Sequence, residues 1–330
     1  MESYKRLTVD ERVELSCLWR SGHSKAEIAR RLNRHRSTIG RELFSSGVYN
    51  ALESDQKSIK AASSRNRGKS KIQKCYYLEE YIKKHIRILK WSPVQISNSL
   101  TLLYPNDTTM QISHESIYTY IYLLGRGELK KELIAGLRQR KRLRTNRKGV
   151  HYKPCLIPDM ISIEERPKEV EDRSLAGHWE GDLIVGKAHK SALGVIVERK
   201  TRAVILVPLK AKDACSVREA FEKELKNLPR QMRLSMTYDN GKEMMEHKLF
   251  TANTKIKVYF CHPHCPWERG TCENTNGLIR QYFPKGTDFS TIKERDIKLV
   301  QHQLNERPRK TLNWKTPKQV FKEEILLNCQ

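Results

Sequence analysis

The chain has 330 residues, with 63 Lys and Arg against 38 Asp and Glu, a formal net charge of +25. That length holds two or three domains of ordinary size, and a charge so far beyond what solubility needs attracts a polyanion, of which nucleic acid is the commonest. No apolar run approaches the ~20 residues of a membrane span, Met1-Glu2-Ser3-Tyr4-Lys5-Arg6 has no leader-like core, and eight scattered cysteines suit reduced thiols; the expectation is a cytoplasmic, membrane-free protein that meets DNA or RNA.

The first third reads as helices. Thr8 to Glu11 has the spacing of a capping box, and Val9, Val13, Leu15, Leu18 and Trp19 follow helical periodicity up to a stop at Gly22. Ser24 to Glu27 is a second box, opening a helix with Ile28, Ala29 and Leu32 inward. A third helix runs from Ser37 through Leu43, with Ile39 and Leu43 on one face. Three short helices with a tight turn before the last make a helix-turn-helix over 1–48. Arg36, Ser37, Thr38 and Arg41 are then candidates for base and phosphate contacts, beside Gly40, where the backbone can approach closely. An ordinary three-helix bundle with a solvated basic face has the same pattern.

Residues 49–75 are rich in Ser, Lys, Arg and Asn and read as a linker with some helix. Helical signals resume over 76–137. Ser92-Pro93-Val94-Gln95 is a clear helix start, with Ile96, Leu100 and Leu103 inward. Ser113 opens the next helix, with Ile117, Ile121 and Leu124 inward and His114, Glu115 and Tyr118 outward. A second helix-turn-helix, with His114 toward DNA, and a dimerisation bundle both fit. Between Arg138 and Lys148 there are seven basic residues and no acid, so 138–172 reads as a basic, phosphate-tracking linker.

From 173 to 330 the pattern is a mixed α/β core. Leu183-Ile184-Val185, Val195-Ile196-Val197 and Val204-Ile205-Leu206-Val207 are β-branched runs at the short spacing of an antiparallel meander. A helix near 213–227 follows, with Val217, Phe221 and Leu225 inward. Next come a strand ending at Asp239, a short helix near 246–252, a strand over 257–261 and closing helices. An RNase-H-like fold is one such arrangement.

Three acids stand at element ends: Asp182 in the first strand, Asp239 before Asn240-Gly241, and Glu273 on the first turn of a helix capped near Thr271. Fifty-six residues separate the first two and 33 the last two. Hard oxygen ligands suit Mg²⁺ or Mn²⁺, and paired ions serve in-line displacement at phosphorus. Taken singly, each acid also reads as a strand-end or cap residue. Glu180 shares a strand face with Asp182, as an orienting or a plain structural group. Arg280 shares a helical face with Glu273, Asn276 and Gly277, for a DNA phosphate or for a surface acid. Cys261-His262-Pro263-His264-Cys265 lacks the paired Cys-x₂-Cys of a zinc knuckle, and both a zinc site and plain sequence drift fit it.

The blocks Gly177-His178-Trp179-Glu180-Gly181-Asp182-Leu183-Ile184, Tyr238-Asp239-Asn240-Gly241 and Pro266-Trp267-Glu268-Arg269-Gly270-Thr271-Cys272-Glu273-Asn274-Thr275-Asn276-Gly277 closely resemble those of bacterial insertion-sequence transposases of the insertion-sequence-thirty family. So do Leu278 through Asp288, Leu304 through Leu312, and the N-terminal segments Glu27 through Ala29 and Ser37 through Leu43. The resemblance runs through nearly the whole chain in the family's order. It implies a DDE transposase with an RNase-H-like, retroviral-integrase-like catalytic core. Asp182, Asp239 and Glu273 would be the catalytic, metal-binding triad for Mg²⁺ or Mn²⁺, with two ions and no ATP. It further implies binding of terminal inverted repeats and target DNA, and a homo-oligomer on DNA. Cys272 departs from the Asn usual before the glutamate. The rival readings are an inactive helix-turn-helix regulator, an RNase-H-like nuclease without joining activity, and a basic RNA-binding protein.

Overall fold

The computed structural model describes residues 7–44, 49–66, 70–125, 127–138, 157–263 and 265–328, so the basic run after Arg138 and His264 lie outside the described residues. The chain divides into two compact units, Met1–Tyr76 and Tyr77–Gln330.

In the first unit, α1 (Val9–Arg20), α2 (Lys25–Arg31) and α3 (Arg36–Phe44) form the expected helix-turn-helix. The Thr8 box closes in both directions: its hydroxyl accepts from the Glu11 N–H (3.2 Å), and the Glu11 carboxylate accepts from the Thr8 N–H (2.7 Å). Gly22 takes φ +83°, the left-handed backbone that ends a helix cheaply. Ile28, Ala29, Leu32, Ile39 and Leu43 are buried as expected. The inward face of α1 is not the expected stripe. Val9, Val13 and Trp19 are exposed, while Arg12, Leu15 and Ser16 are buried. Arg12 turns the helix: its guanidinium donates to Glu42 (2.7 Å), Asp55 (2.8 Å) and the Leu7 carbonyl (2.6 Å). Asp55 comes from α4 (Ala51–Asn66), a 16-residue helix inside the stretch read as linker. Ser54 of α4 also donates to Glu42, and Tyr49 and Ala51 join the core of this unit. A short α5 (Lys71–Lys74) follows.

The helices α6 (Tyr76–Arg87), α7 (Pro93–Leu103), α8 (His114–Leu123) and α9 (Glu128–Gly136) lead into the second unit. The Ser92 box caps α7 in both directions. Ile96, Leu100, Ile117 and Ile121 are buried, but Leu103 is exposed. These helices are tied to the C-terminal core: Gln95 donates to the Pro308 carbonyl (2.7 Å) and accepts from Arg307 (2.9 Å), and the Tyr282 hydroxyl donates to the Leu89 carbonyl (2.7 Å).

After α10 (Glu169–Asp172), the chain forms β1 (His178–Val185), β2 (Ala192–Glu198), β3 (Val204–Pro208), α11 (Ala214–Lys226), β4 (Ser235–Tyr238), α12 (His247–Thr254), β5 (Lys257–Phe260), α13 (Gly270–Ile279), α14 (Glu294–Asn305) and α15 (Pro317–Asn328). The five strands make one mixed sheet in the order β3-β2-β1-β4-β5. The first three pair as an antiparallel meander, and β4 and β5 add in parallel to β1. One face packs Trp179, Ile196, Met236 and Tyr238 against Val217, Phe221 and Leu225 of α11 and Phe250 of α12. The other packs Ile184, Val195, Val197 and Leu206 against Cys272, Leu278 and Ile279 of α13 and Ile297, Val300 and Leu304 of α14. The result is the RNase-H-like, integrase-type mixed sheet with helices on both faces. Because side chains alternate along a strand, Trp179 and Gly181 belong to the α11 face, and Glu180 and Asp182 to the α13 face. Gly181 is obligatory there, since a Cβ would stand 2.6 Å from the Tyr238 ring.

Candidate active site and nucleic-acid interface

Asp182 lies in β1, and Asp239 directly follows β4, its parallel neighbour. The parallel register, which pairs Glu180 with Thr237, brings Asp239 level with Asp182 inside β1, and the carboxyl-terminal side of such strands is where open α/β sheets keep their ligands. The Asp182 carboxylate accepts from the Leu183 N–H (2.9 Å) and from the Asn276 side chain (2.5 Å). Asp239 accepts from the Gly241 N–H (3.1 Å) in its tight turn.

A single guanidinium spans the two aspartates. Arg269 places Nη1 3.3 Å from Asp182 Oδ1 and Nη2 3.0 Å from Asp239 Oδ2, while Nη1 also donates to the Gly181 carbonyl (3.0 Å). Burial raises the Asp182 carboxyl; Arg269 opposes that rise and the charge of Asp239 adds to it. Burial works against the Arg269 charge, yet Asp239 and Asp182 hold its guanidinium above the ordinary value. Glu243, half-buried in the loop after Asp239, is raised by burial and by the negative charge of Asp239 and Asp182. Two carboxylates thus converge on the place of one cation, in a field too negative to be left without positive charge.

Glu273 stands on the exposed side of the first turn of α13. It lies one turn before Asn276, on the same helical face as the residue that grips Asp182. The structure brings Asp182 and Asp239 together; Glu273 forms no ion pair among the described residues, and no three such ligands there form a ready cluster.

Glu180 explains how α13 is held. Fully buried, it accepts from the Cys272 N–H (2.7 Å) and from Arg199 Nη1 (2.6 Å). The first of these bonds satisfies a backbone donor in the opening turn of α13, a group without an intrahelical partner. Glu180 therefore pins the residue immediately before Glu273 to β1, two positions from Asp182. Cys272 is buried at the sheet, and burial pushes its thiol well up. Burial likewise pushes the Cys261 thiol up to about 12, so it sits as a protonated core thiol.

Arg36, Ser37 and Arg41 of α3 are exposed and Thr38 is half-buried, opposite the inward Ile39 and Leu43. Arg41 donates to the Ser37 carbonyl (3.1 Å) and hydroxyl (3.2 Å), which stiffens that face. His114 opens α8, partly exposed, with Nε2 3.3 Å from Glu115. Arg280 follows α13 and donates to the Val185 (2.8 Å) and Pro284 (3.2 Å) carbonyls, with no acid partner among the described residues. Sequence reasoning passed over Arg269. Its signal was its place four residues before Glu273, in a segment that folds back over both aspartates.

Two family models match this chain: a helix-turn-helix domain over residues 3–43 and an integrase core domain over residues 173–266. The chain is 43% identical to the transposase for insertion sequence element IS1086 of Cupriavidus metallidurans, over 98% of this chain and 96% of that protein. It is 38% identical to transposase InsI for insertion sequence element IS30A of Escherichia coli K12, over 97% of this chain and 84% of that one. The chain belongs to the IS30 family of insertion-sequence transposases. Similarity extends to the transposase for insertion sequence element IS4351 of Bacteroides fragilis, 35% identical over 98% of both chains.

This transposase is accordingly a polynucleotidyl transferase that binds DNA and, through its integrase core, depends on divalent metal. None of its described helices is long and apolar enough to cross a membrane. The site formed by Asp182 inside β1 and Asp239 at the end of β4 fits a metal cation on its own geometry. Its donors are carboxylate oxygens, the set that hard divalent ions prefer, and the Asp182–Asp239 pair already accommodates one positive group between them.

Proposed function

We propose that this transposase binds the terminal inverted repeats of its insertion sequence and cuts and joins DNA strands by DDE chemistry, with Asp182, Asp239 and Glu273 as the acid triad. The observation that carries this reading is the convergence of Asp182 and Asp239 on one cation position, next to the helix face that bears Glu273. Asp182 and Asp239 would share one Mg²⁺ or Mn²⁺, and Glu273 would hold a second. Such ions supply Lewis acidity and charge neutralisation at the reacting phosphodiester. Glu180 and Asn276 hold α13 against β1, which would bring the Glu273 carboxylate to the edge that carries Asp182 and Asp239.

Arg269 has two duties in this scheme: it neutralises the aspartates in the free protein, and it gives way to the metal when DNA is engaged. Arg36, Ser37, Thr38 and Arg41 face the repeat, with His114 and Arg280 on DNA backbone. Strand transfer exchanges one phosphodiester for another, so ATP is not needed. Bringing two element ends together calls for a homo-oligomer on DNA, acting in the bacterial cytoplasm at the nucleoid.

The test uses a supercoiled plasmid carrying the DNA that flanks the gene. Wild type and Asp239→Asn are incubated with Mg²⁺, Mn²⁺ or EDTA, and new junctions are sequenced. Metal-dependent joined ends from wild type alone are expected, with end binding by Asp239→Asn nearly intact. Joined products from Asp239→Asn would overturn the triad.

A further inference from the structure

The second unit treats its arginines in two ways. Arg199 and Arg269 have carboxylates within 2.6–3.3 Å, and Arg218 pairs with Glu246 and Glu222. Five others, like Arg280, have no acid partner among the described residues and are aimed and held by neutral groups. Arg202 donates to the Thr271 hydroxyl (2.6 Å), and Arg173 reaches the same oxygen (3.4 Å). Arg138 donates to the Asn274 side chain (2.8 Å), and its Nη2 lies 3.2 Å from where a Cβ on Gly277 would stand. Arg307, only 2% exposed, donates to Gln281 (2.8 Å) and Gln95 (2.9 Å). Arg309 donates to the Leu304 carbonyl (3.2 Å), and its buried Nε has no partner among the described residues.

Their neutral acceptors on α13 are Thr271, Asn274 and, just beyond its end, Gln281. At helical spacing these follow one line, adjacent to the face that carries Glu273 and Asn276. Burial, and then the charge of Arg307, Arg138 and Arg202, pulls Arg309 down to about 9; burial, and then Arg173 and Arg199, pulls Arg202 down to about 10. Arg307 is buried and Arg202 and Arg309 are half-buried, while Arg138 and Arg173 are exposed beside them; charges withdrawn from water are ordinarily paired, because an isolated one loses its hydration without return. A row of mutually repelling guanidiniums held by amides and hydroxyls is therefore short of an anion.

We propose that Arg138, Arg173, Arg202 and Arg309, with the buried Arg307 adding positive charge behind them, form a phosphate track along the flank of α13, which holds the DNA strand leading into the acid site. Thr271 to Gln281 spans about 15 Å at helical rise, room for roughly four nucleotides at 3.4 Å each. Gly277 leaves the Arg138 guanidinium lying flat on the helix, beside the turn that bears Glu273. This inference rests on the reading that the Glu273 face of α13 meets DNA, and its test needs neither metal nor catalysis.

Binding of the full chain is measured in EDTA over a range of salt with two duplexes. One carries the terminal repeat alone; the other extends through the element end into flanking DNA. The variant is Arg138→Gln, Arg202→Gln and Arg309→Gln combined, which keeps hydrogen-bonding groups and removes charge. Each phosphate contact contributes about 0.9 to the slope of log affinity against log salt. The slope on the long duplex is expected to fall by about 2–3, with no change on the short one. The melting temperature of the free variant is expected to hold or rise, because an uncompensated charge has been removed. An unchanged slope on the long duplex would overturn the track, as would equal losses on both duplexes. A lowered melting temperature with unchanged slopes would make these arginines purely structural. Asp239→Asn serves as the control: it tests the acid triad through joining and leaves both slopes as in wild type.

Discussion

Glu180→Gln removes one charge from a pair that the fold has closed off from water. Glu180 is 0% exposed and Arg199 6%, with 2.6 Å between Oε1 and Nη1. Exposed pairs contribute 0–1 kcal/mol at most, but deleting one partner of a buried pair strands the other charge and costs about 3–5 kcal/mol. At roughly 2–4 °C per kcal/mol for a unit of this size, the 77–330 unit is expected to melt about 6–20 °C lower. Strand joining falls with it, because the Cys272 N–H loses a charged acceptor and the start of α13 is held less firmly against β1. Arg199→Met combined with Glu180→Gln removes the stranded guanidinium and is expected to recover most of the loss, since buried pairs replaced by apolar groups are often near neutral. Melting followed by circular dichroism on wild type, both single variants and the double completes the cycle. A Glu180→Gln protein melting within 2 °C of wild type would refute the argument; so would a double variant less stable than either single one.

His178 is buried in β1 against Ser235 (2.8 Å); burial, with the charges of Arg199 and Arg166, holds it down at about 4. The unfolded chain takes up this proton near pH 6.5 and the folded chain only near 4, so stability present above pH 6.5 falls as pH drops through that window. The loss is about 3 kcal/mol, read as an acid limb of melting temperature that His178→Gln lacks. Arg269→Met removes the guanidinium that competes for Asp182 and Asp239. Calorimetric titration of the DNA-free protein is expected to show at least about tenfold tighter Mn²⁺ binding, from the loss of charge-assisted contacts of about 1.5–3 kcal/mol each; unchanged affinity would rule out competition. Arg36→Ala with Arg41→Ala is expected to weaken end binding and lower the salt slope by about 2, with the melting of the 77–330 unit unchanged. Wild-type gel shifts on the native ends would reject the role of α3.

Much of the architecture was legible in the residues. The Thr8 capping box, the Ser24 cap, the Ser92-Pro93 start, the meander runs and the Val217, Phe221 and Leu225 stripe are local signals, and each formed the element it specified, although Glu27 turns to Arg30 and Arg31 instead of completing the second box. Asp182, Asp239 and Glu273 stood out as acids, and strand alternation placed Glu180 with Asp182, although Asp182 lies inside β1 rather than at its start, because the strand begins at His178. Where local hydrophobicity was the only guide, it misled. Val9, Val13 and Trp19 lost the inward face of α1 to Arg12, because Glu42 and Asp55, 30 and 43 residues away in sequence, solvate its charge inside the unit.

The sequence by itself determined periodicity, caps, charge and family, all of which are set within a few residues or by motif. Tertiary structure decided which charges meet. Arg269 falls between two aspartates 30 and 87 positions away, and Glu180 reaches an N–H 92 positions away. Arg173 and Arg202 meet at Thr271, and Arg307 rests on Gln281. Such encounters depend on how strands order across the sheet and how α13 lies on it. Charge pairing acts through space over a few ångströms, and a linear pattern carries no record of those distances until the sheet has closed.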